Sequence, residues 1–351
     1  MTGPAALASR FDTPLTLALE VAGVPLLVRT NDSEIWARLA AYYAPYVVEA
    51  VAPGAVEVKL VQGTMPPVGT FRDVKRAEGR PVKEAVRDVP GGRLILKRAT
   101  GVIMGLWSKG AFAIGDLRTN LNQGINLVNA CYAKRVVDRG HVLLHASAVS
   151  RGGRTVVLAG PPGAGKSTSA LHLVEAGFRF LSNDRVLVRA VTDGVEALGY
   201  PKQPRVNPGT LLHHPRLHTL LKPEEREALA ALSPHELWRL ERKSDVDVDA
   251  IYGAGTVDLR GRKTALVLLK WRLDGEGFSI RRLELAEAMA DLPLFQKDLG
   301  VFDPDRPPGQ TEAPATITRY AAVLEQVTLL EVTGRINFPG LVDLVADVLG
   351  N

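Results

Sequence analysis

The sequence predicts an α/β domain built around a glycine-rich loop, preceded by a small α+β domain. Three observations lead there. An apolar β-rich run, Thr155 to Ala159, leads directly into Gly160-Pro161-Pro162-Gly163-Ala164-Gly165-Lys166-Ser167. Ala170, Leu171 and Val174 then recur at helical spacing until Gly177 stops the helix. A second β-rich run, Phe180 to Val188, follows that stop, so strand, loop, helix and strand alternate as in α/β folds. The boundaries read as 1–118 for the α+β domain and 119–351 for the α/β domain.

In the first domain, Leu15 to Glu20 and Val24 to Arg29 read as a hairpin around Val21-Ala22-Gly23. Asn31, Asp32 and Ser33 offer N-caps to a helix with Ile35, Trp36, Leu39 and Tyr43 on one face. Val56 to Val61 and Arg93 to Arg98 read as strands bounded by Pro-Gly and Gly-Gly turns. The charged stretch Arg72 to Arg87 reads as a solvated hairpin. A helix is expected from Asn120 to Val137, ended by Gly140, and a strand from Val142 to Ala146. Beyond the second β run come a Pro/His-rich loop (Gly199 to Leu221) and a helical stretch (Glu224 to Lys243). A strand (Thr264 to Trp271), another near Val327 to Val332 and a helix (Leu341 to Leu349) complete the chain.

Composition narrows the classes. Of 351 residues 46% are hydrophobic and 23% charged, enough apolar content for a real core. The net charge of +5 is spread among acidic residues without a basic stripe, which argues against a nucleic-acid partner. The single cysteine, Cys131, excludes an intramolecular disulfide and reads as a small core residue. No run approaches the roughly 20 apolar residues of a membrane helix, and the first residues do not form a secretory leader. A cytoplasmic location without membrane association is the expectation, with a homo-oligomer left open.

The loop satisfies G-x-x-x-x-G-K-[ST] in full, in the strand-to-helix context that gives the pattern meaning. Glycines let successive backbone N–H groups turn toward a phosphate. The following helix adds its free N–H groups and positive dipole end. Lys166 reaches the β- and γ-phosphate oxygens, Ser167 offers a hydroxyl to Mg²⁺, and Thr168 follows in the first turn. The expected cofactors are ATP and Mg²⁺.

Phosphate-loop enzymes also need an acid near the metal. The apolar run Ala265 to Leu269 ends in Lys270 and Trp271 instead, and no Asn-Lys-x-Asp run selects guanine, so a switch-type GTPase is disfavoured. The acid occurs in Phe180-Leu181-Ser182-Asn183-Asp184-Arg185-Val186, expected to return as a strand neighbouring the loop. Asp184 is then a candidate for the metal or the γ-phosphate, with a capping Asp as the alternative.

His145, the phosphate loop, Ala170-Leu171-His172-Leu173-Val174-Glu175-Ala176-Gly177 and the acidic run together resemble the HPr kinase/phosphorylase superfamily. That family shares its nucleotide fold with phosphoenolpyruvate carboxykinase. The resemblance covers residues 120 to 190 and continues loosely through Ile251 to Leu259. Leu181 to Arg185, Pro201 to Gly209 and Phe295 to Phe302 are most similar to the branch called HprK-related kinase B. It implies a kinase domain with His145 in the active site and Asp184 as base or orienting group. The family's Asp-Asp pair is Asn183-Asp184 here, and Tyr252 stands where the family loop has Arg.

The expected activity is transfer of the γ-phosphoryl group of ATP to a hydroxyl of a protein or of a small metabolite. A nucleotide-binding regulator without transfer is the alternative, favoured by Asn183 and Tyr252. Asp184, His145, Asn183 and Lys166 are the catalytic candidates, and Ser167 and Asp184 the metal candidates. Lys202, Arg205 and Arg260 are candidate phosphate or substrate contacts, the first two on the stiff segment Pro201-Lys202-Gln203-Pro204-Arg205. His213, His214 and His218 read as a surface loop rather than a metal set.

Overall fold

The computed structural model describes residues 3–74, 79, 81–306 and 314–350. They fall into two compact units, Met1–Arg139 with Asp298–Ala313, and Gly140–Lys297 with Pro314–Asn351.

The first unit is built on an eight-stranded sheet. Its order is Leu15–Val21, Val24–Thr30, Val56–Gln62, Gly110–Gly115, Ile103–Trp107, Gly92–Lys97, Glu84–Val89 and Arg72–Asp73. The opening hairpin turns through Ala22 and Gly23, at φ 44° and 74°, the two positive angles that a two-residue turn between twisted strands requires. Asp32 caps the helix Ser33–Tyr42 by accepting from the Ile35 amide at 3.0 Å, and Ile35 and Leu39 are buried. Trp36, expected on the apolar face, is 37% exposed and donates to the Thr16 carbonyl instead. The strands Ile103–Trp107 and Gly110–Gly115 were not foreseen, because Gly105, Gly110, Ala111 and Ala113 carry little β propensity. Arg72–Asp73 and Glu84–Val89 do pair as the arms of a charged hairpin, while 75–78 and 80 between them lie outside the described residues.

The helix Leu121–Asp138, expected to open the second domain, groups with this first unit. Gly124 lies so close to the sheet that a Cβ there would stand 3.0 Å from Leu60, and Asn129 accepts from the Tyr43 hydroxyl at 2.7 Å. Packing of this face on the sheet sets the division of the units after Arg139.

The second unit holds a ten-stranded mixed sheet. Its long strand Arg260–Leu269 starts antiparallel to Gly194–Leu198, then runs parallel to Arg154–Ala159 on one side and to Thr328–Gly334 on the other. The helices Lys166–Glu175 and Phe338–Leu349 cover one face with Ala170, Leu171, Leu341 and Val345. Leu285–Ala290 and Pro314–Leu324 cover the other with Ala288, Tyr320 and Val323. The architecture of this unit is therefore α/β. Among the described residues no helix is long and apolar enough to cross a membrane.

Two expected elements are divided in the structure and a third is shortened. Phe180 to Val188 forms two strands, Arg179–Ser182 and Val186–Val191, with different partners and a turn at Asn183-Asp184-Arg185. Val142–Leu144 ends before a separate strand, Ser147–Arg151. The helical stretch after Glu224 is two short helices, Pro223–Ala230 and Pro234–Arg239, because Ser233 forms a capping box with Glu236.

Candidate functional site

Sheet register brings the sequence candidates to one end of the second unit. Ser147 pairs with Leu158, and Ala148 pairs with Ser182. The residues just before Ser147 (His145), just after Ala159 (the loop) and just after Ser182 (Asn183, Asp184) therefore emerge at the same sheet end. The acidic strand was expected beside the loop strand, but Ser147–Arg151 lies between them.

The loop has the backbone its glycines allow. Gly163 and Gly165 sit at φ 84° and 76°, with no atom within 4 Å of an added Cβ, so only backbone faces the cradle. At Gly160 a Cβ would stand 2.6 Å from the Leu269 carbonyl oxygen, which ties the loop to the adjoining strand. Trp271, just beyond the end of that strand, donates from Nε1 to the Ala164 carbonyl at 2.8 Å and fixes the loop there. The Lys166 ammonium, largely buried, donates to the carbonyls of Gly160 at 2.8 Å and Pro161 at 3.0 Å. Gly165, the N-cap, supplies no side chain to the first turn, so its N–H groups are not capped by one. Ser167 is half-buried and has no side-chain partner among the described residues, whereas Thr168 shares a 2.7 Å hydrogen bond with Thr210.

Asp184 takes the left-handed conformation, φ 66°, in a tight turn. Ser182, fully buried, closes that turn: its hydroxyl donates to the Arg185 carbonyl and accepts from the Tyr200 amide. Around the carboxylate stand His145 Nε2 at 3.4 Å, Lys297 Nζ at 3.1 Å and Arg185 Nε at 3.8 Å. Although the Asp184 side chain is 52% exposed, its partial removal from water pushes the carboxyl up, and the His145 hydrogen bond and the Lys297 and Arg185 charges outweigh that. The group is held well below the usual carboxylate range. Asn183 accepts from the Ser147 hydroxyl at 2.7 Å, a contact an Asp oxygen would make equally well.

The loop lysine and the acid share one field. Burial lowers the Lys166 ammonium to about 8, Asp184 opposes that shift, and Lys297 and Lys243 reinforce it. Lys202 is likewise lowered by burial and supported by Asp184. Arg205 is exposed and engaged by Asp245 at 3.2 Å. Arg260 begins the strand whose other end abuts the loop, a strand length of about 30 Å away at ~3.3 Å per residue, so the structure does not bring it to the site.

Tyr252 sits by the C-terminal end of the loop helix. Its hydroxyl lies 3.4 Å from His214 Nε2, and Arg216, paired with Glu175 at 3.0 Å, stacks over its ring. Of the three histidines expected on a surface loop only His213 is exposed, and His214 is buried against His172 and Tyr252. Sequence reasoning missed Lys297 and Ser182. Lys297 lies 113 residues from Asp184, so no local spacing announced it. The one signal was its place in the Phe295 to Phe302 segment.

No family model matches the chain, and no curated protein matches it in sequence. Among solved structures it is similar to the Hpr(Ser) kinase/phosphatase from Coxiella burnetii, at 12% identity over 59% of this chain and 93% of that one, with a TM-score of 0.28. At that level the functional reading rests on this chain's own residues.

Proposed function

We propose that this protein is an ATP- and Mg²⁺-dependent kinase of the HPr-kinase-like type that transfers the γ-phosphoryl group to a hydroxyl. The observation that carries the reading is convergence: the phosphate loop and Asp184 leave the same sheet end, and Lys166 and Asp184 act on each other electrostatically. The open glycine cradle, the helix start without a side-chain cap and the Ser167 hydroxyl fit a triphosphate with its metal. When bound, Mg²⁺ would neutralise the β- and γ-oxygens, with Ser167 and Asp184 as the protein groups available to it.

Lys166, already poised over the loop carbonyls, would shift to the phosphate oxygens and balance charge there. Asp184 would orient the acceptor hydroxyl. With its pKa held low, the carboxylate is a weak base, but a loose transition state demands positioning more than early deprotonation. The acceptor oxygen forms a bond to the γ-phosphorus, the bond to the β,γ-bridging oxygen breaks, and ADP leaves. The hydroxyl proton passes to Asp184 or to solvent.

The test is transfer itself. Incubated with γ-labelled ATP, Mg²⁺ and a lysate of its own organism, the wild-type protein should label an acceptor that Lys166→Ala leaves unlabelled. Asp184→Asn should lose transfer by roughly 10²- to 10⁴-fold, the range for a positioned acid–base group, while nucleotide affinity stays within about tenfold. Unchanged transfer in that variant would refute its role. A nucleotide-binding regulator is the second reading, favoured by the Lys297 ion pair that engages Asp184. Tight nucleotide binding with neither transfer nor hydrolysis would establish it instead.

A further inference from the structure

Among the described residues two side chains hold carbonyl groups of the phosphate loop. Lys166 takes those of Gly160 and Pro161, and under the proposed function it leaves them for phosphate oxygens. Trp271 takes that of Ala164 at 2.8 Å, and its indole is fixed from several sides. Backbone bonds from Lys270 to the Val332 carbonyl and from Arg272 to the Gly334 carbonyl, at 2.8 and 2.9 Å, anchor the chain before and after it. The ring is 5% exposed and meets Phe338 edge-on, with centroids 5.5 Å apart. Phe338, the first residue of Phe338–Leu349, stacks in turn on His172 of the loop helix at 4.2 Å and 15°. Burial lowers the His172 imidazole to about 4, so at neutral pH it stacks as an uncharged ring. Sheet, loop helix and final helix together aim one N–H at one loop carbonyl.

A buried indole N–H needs an acceptor, and for that alone many carbonyls would serve. The place of this one gives it a consequence. The Ala164–Gly165 peptide is trans, so its carbonyl and its N–H point in opposite directions. With the carbonyl turned to Trp271, the Gly165 N–H faces away from the indole. Gly165 is at φ 76° with nothing within 4 Å of an added Cβ, so glycine would also let this peptide turn over. Turned over, it would present an oxygen where the N–H had been, and that oxygen repels a phosphate. We infer that Trp271 is a positioning residue for the phosphate loop, holding the Ala164 carbonyl so that the Gly165 N–H stays turned to the nucleotide's phosphates. The inference rests on the nucleotide reading and adds to it the side chain that sets this peptide plane. Lys166 exchanges its partners on loading, whereas the Trp271 bond persists through it.

The experiment follows the ¹⁵N-labelled indoles of the full chain by NMR, without and with Mg²⁺ and the non-hydrolysable analogue AMPPNP. Of the four tryptophans, Trp36→Phe, Trp107→Phe and Trp238→Phe identify the Trp271 signal by elimination. The Trp271 N–H should exchange with solvent more slowly than that of Trp238, which is 44% exposed, in both the empty and the loaded protein. Exchange that accelerates on loading would overturn the inference, because the indole would then hold only the empty loop. Calorimetric titration of Trp271→Phe, which keeps a ring against Phe338 and loses the donor, is the second arm. Affinity for ADP and for AMPPNP should each fall about ten- to a hundredfold, the loss of one hydrogen bond to a charged group. Phe338→Leu, which loosens the ring and keeps the donor, should lose less. Affinity of Trp271→Phe within about threefold of the wild type, or equal losses in the two variants, would overturn the role. Should the melting curve show Trp271→Phe unfolded, the exchange of the wild-type indole decides. Wild-type protein that binds neither nucleotide would remove the nucleotide reading, and this inference with it, whereas failure of the Trp271 arms alone leaves that reading standing.

Discussion

Under the proposed function, Lys166 is the residue whose chemistry changes most between the empty and the loaded site. Its ammonium is buried against two carbonyls, and burial lowers it to about 8 from the ordinary lysine range. A lysine whose folded pKa is depressed disfavours the charged state in the fold. Stability therefore rises with pH between about 8 and 10.4, where the unfolded chain still binds the proton and the folded one does not. Phosphate oxygens reverse this by favouring the ammonium. Nucleotide binding should accordingly take up protons near pH 8, and affinity should fall as pH rises from 7 through 9. Titration at pH 8 in two buffers of different ionisation enthalpy would detect the uptake, and identical enthalpies in both would refute it. Asp184 has the opposite sign. Its depressed pKa contributes stability that is present above about 3.9 and lost only as pH falls through the lower folded value. Its protonation should not limit activity at pH 5 to 7. The loop residues were legible in the sequence because eight adjacent positions make up the whole G-x-x-x-x-G-K-[ST] pattern. Lys297 was not, since the sheet edge that presents it is a tertiary fact.

At the scale of elements, the site depends on where strands stop. The run Phe180 to Val188 reads as one strand because its apolar content is nearly continuous, yet the chain breaks where Ser182 bonds the Arg185 carbonyl and Asp184 turns left-handed. That break lets the two halves join different partners and leaves Asp184 at the sheet end. Local pattern carried the strand propensity, but the break is set by pairing with Ser147–Arg151 and Val142–Leu144. The strand after the loop helix was legible, its neighbours were not. Gly160 shows how tightly the elements are joined, for a Cβ there would meet the Leu269 carbonyl at 2.6 Å and the backbone is at φ 148°. Gly160→Ala should cost about 1–3 kcal/mol, the scale of stored backbone strain. It should also weaken nucleotide binding at least about tenfold, since the displaced loop no longer aims its amides. A melting curve and a nucleotide titration check both, and a variant unchanged in each would mean that the loop adjusts freely.

For the molecule as a whole, the first unit is discontinuous in sequence, which no linear division of the chain could show. The segment 298–306 returns to it and is held by Arg93, a guanidinium only 1% exposed. Arg93 donates to the carbonyls of Asp303 at 2.6 Å and Arg306 at 2.9 Å and pairs with Asp88 at 2.6 Å. A buried cation with these acceptors is costly to remove on one side only, because the carbonyls lose their donors without regaining water. Arg93→Met in the full chain should therefore destabilise the first unit by about 2–4 kcal/mol. Lysine should restore part of this, since it keeps the charge but not the planar fork that reaches several acceptors. The global transition of a two-unit chain need not be two-state, so local hydrogen exchange is the better measurement. Amides of residues 298–306 should exchange faster in Arg93→Met and intermediately in Arg93→Lys. The strands Arg154–Ala159 and Arg260–Leu269, which belong to the other unit, should keep their protection. Equal acceleration in both units would show that Arg93 supports the whole chain and not this segment.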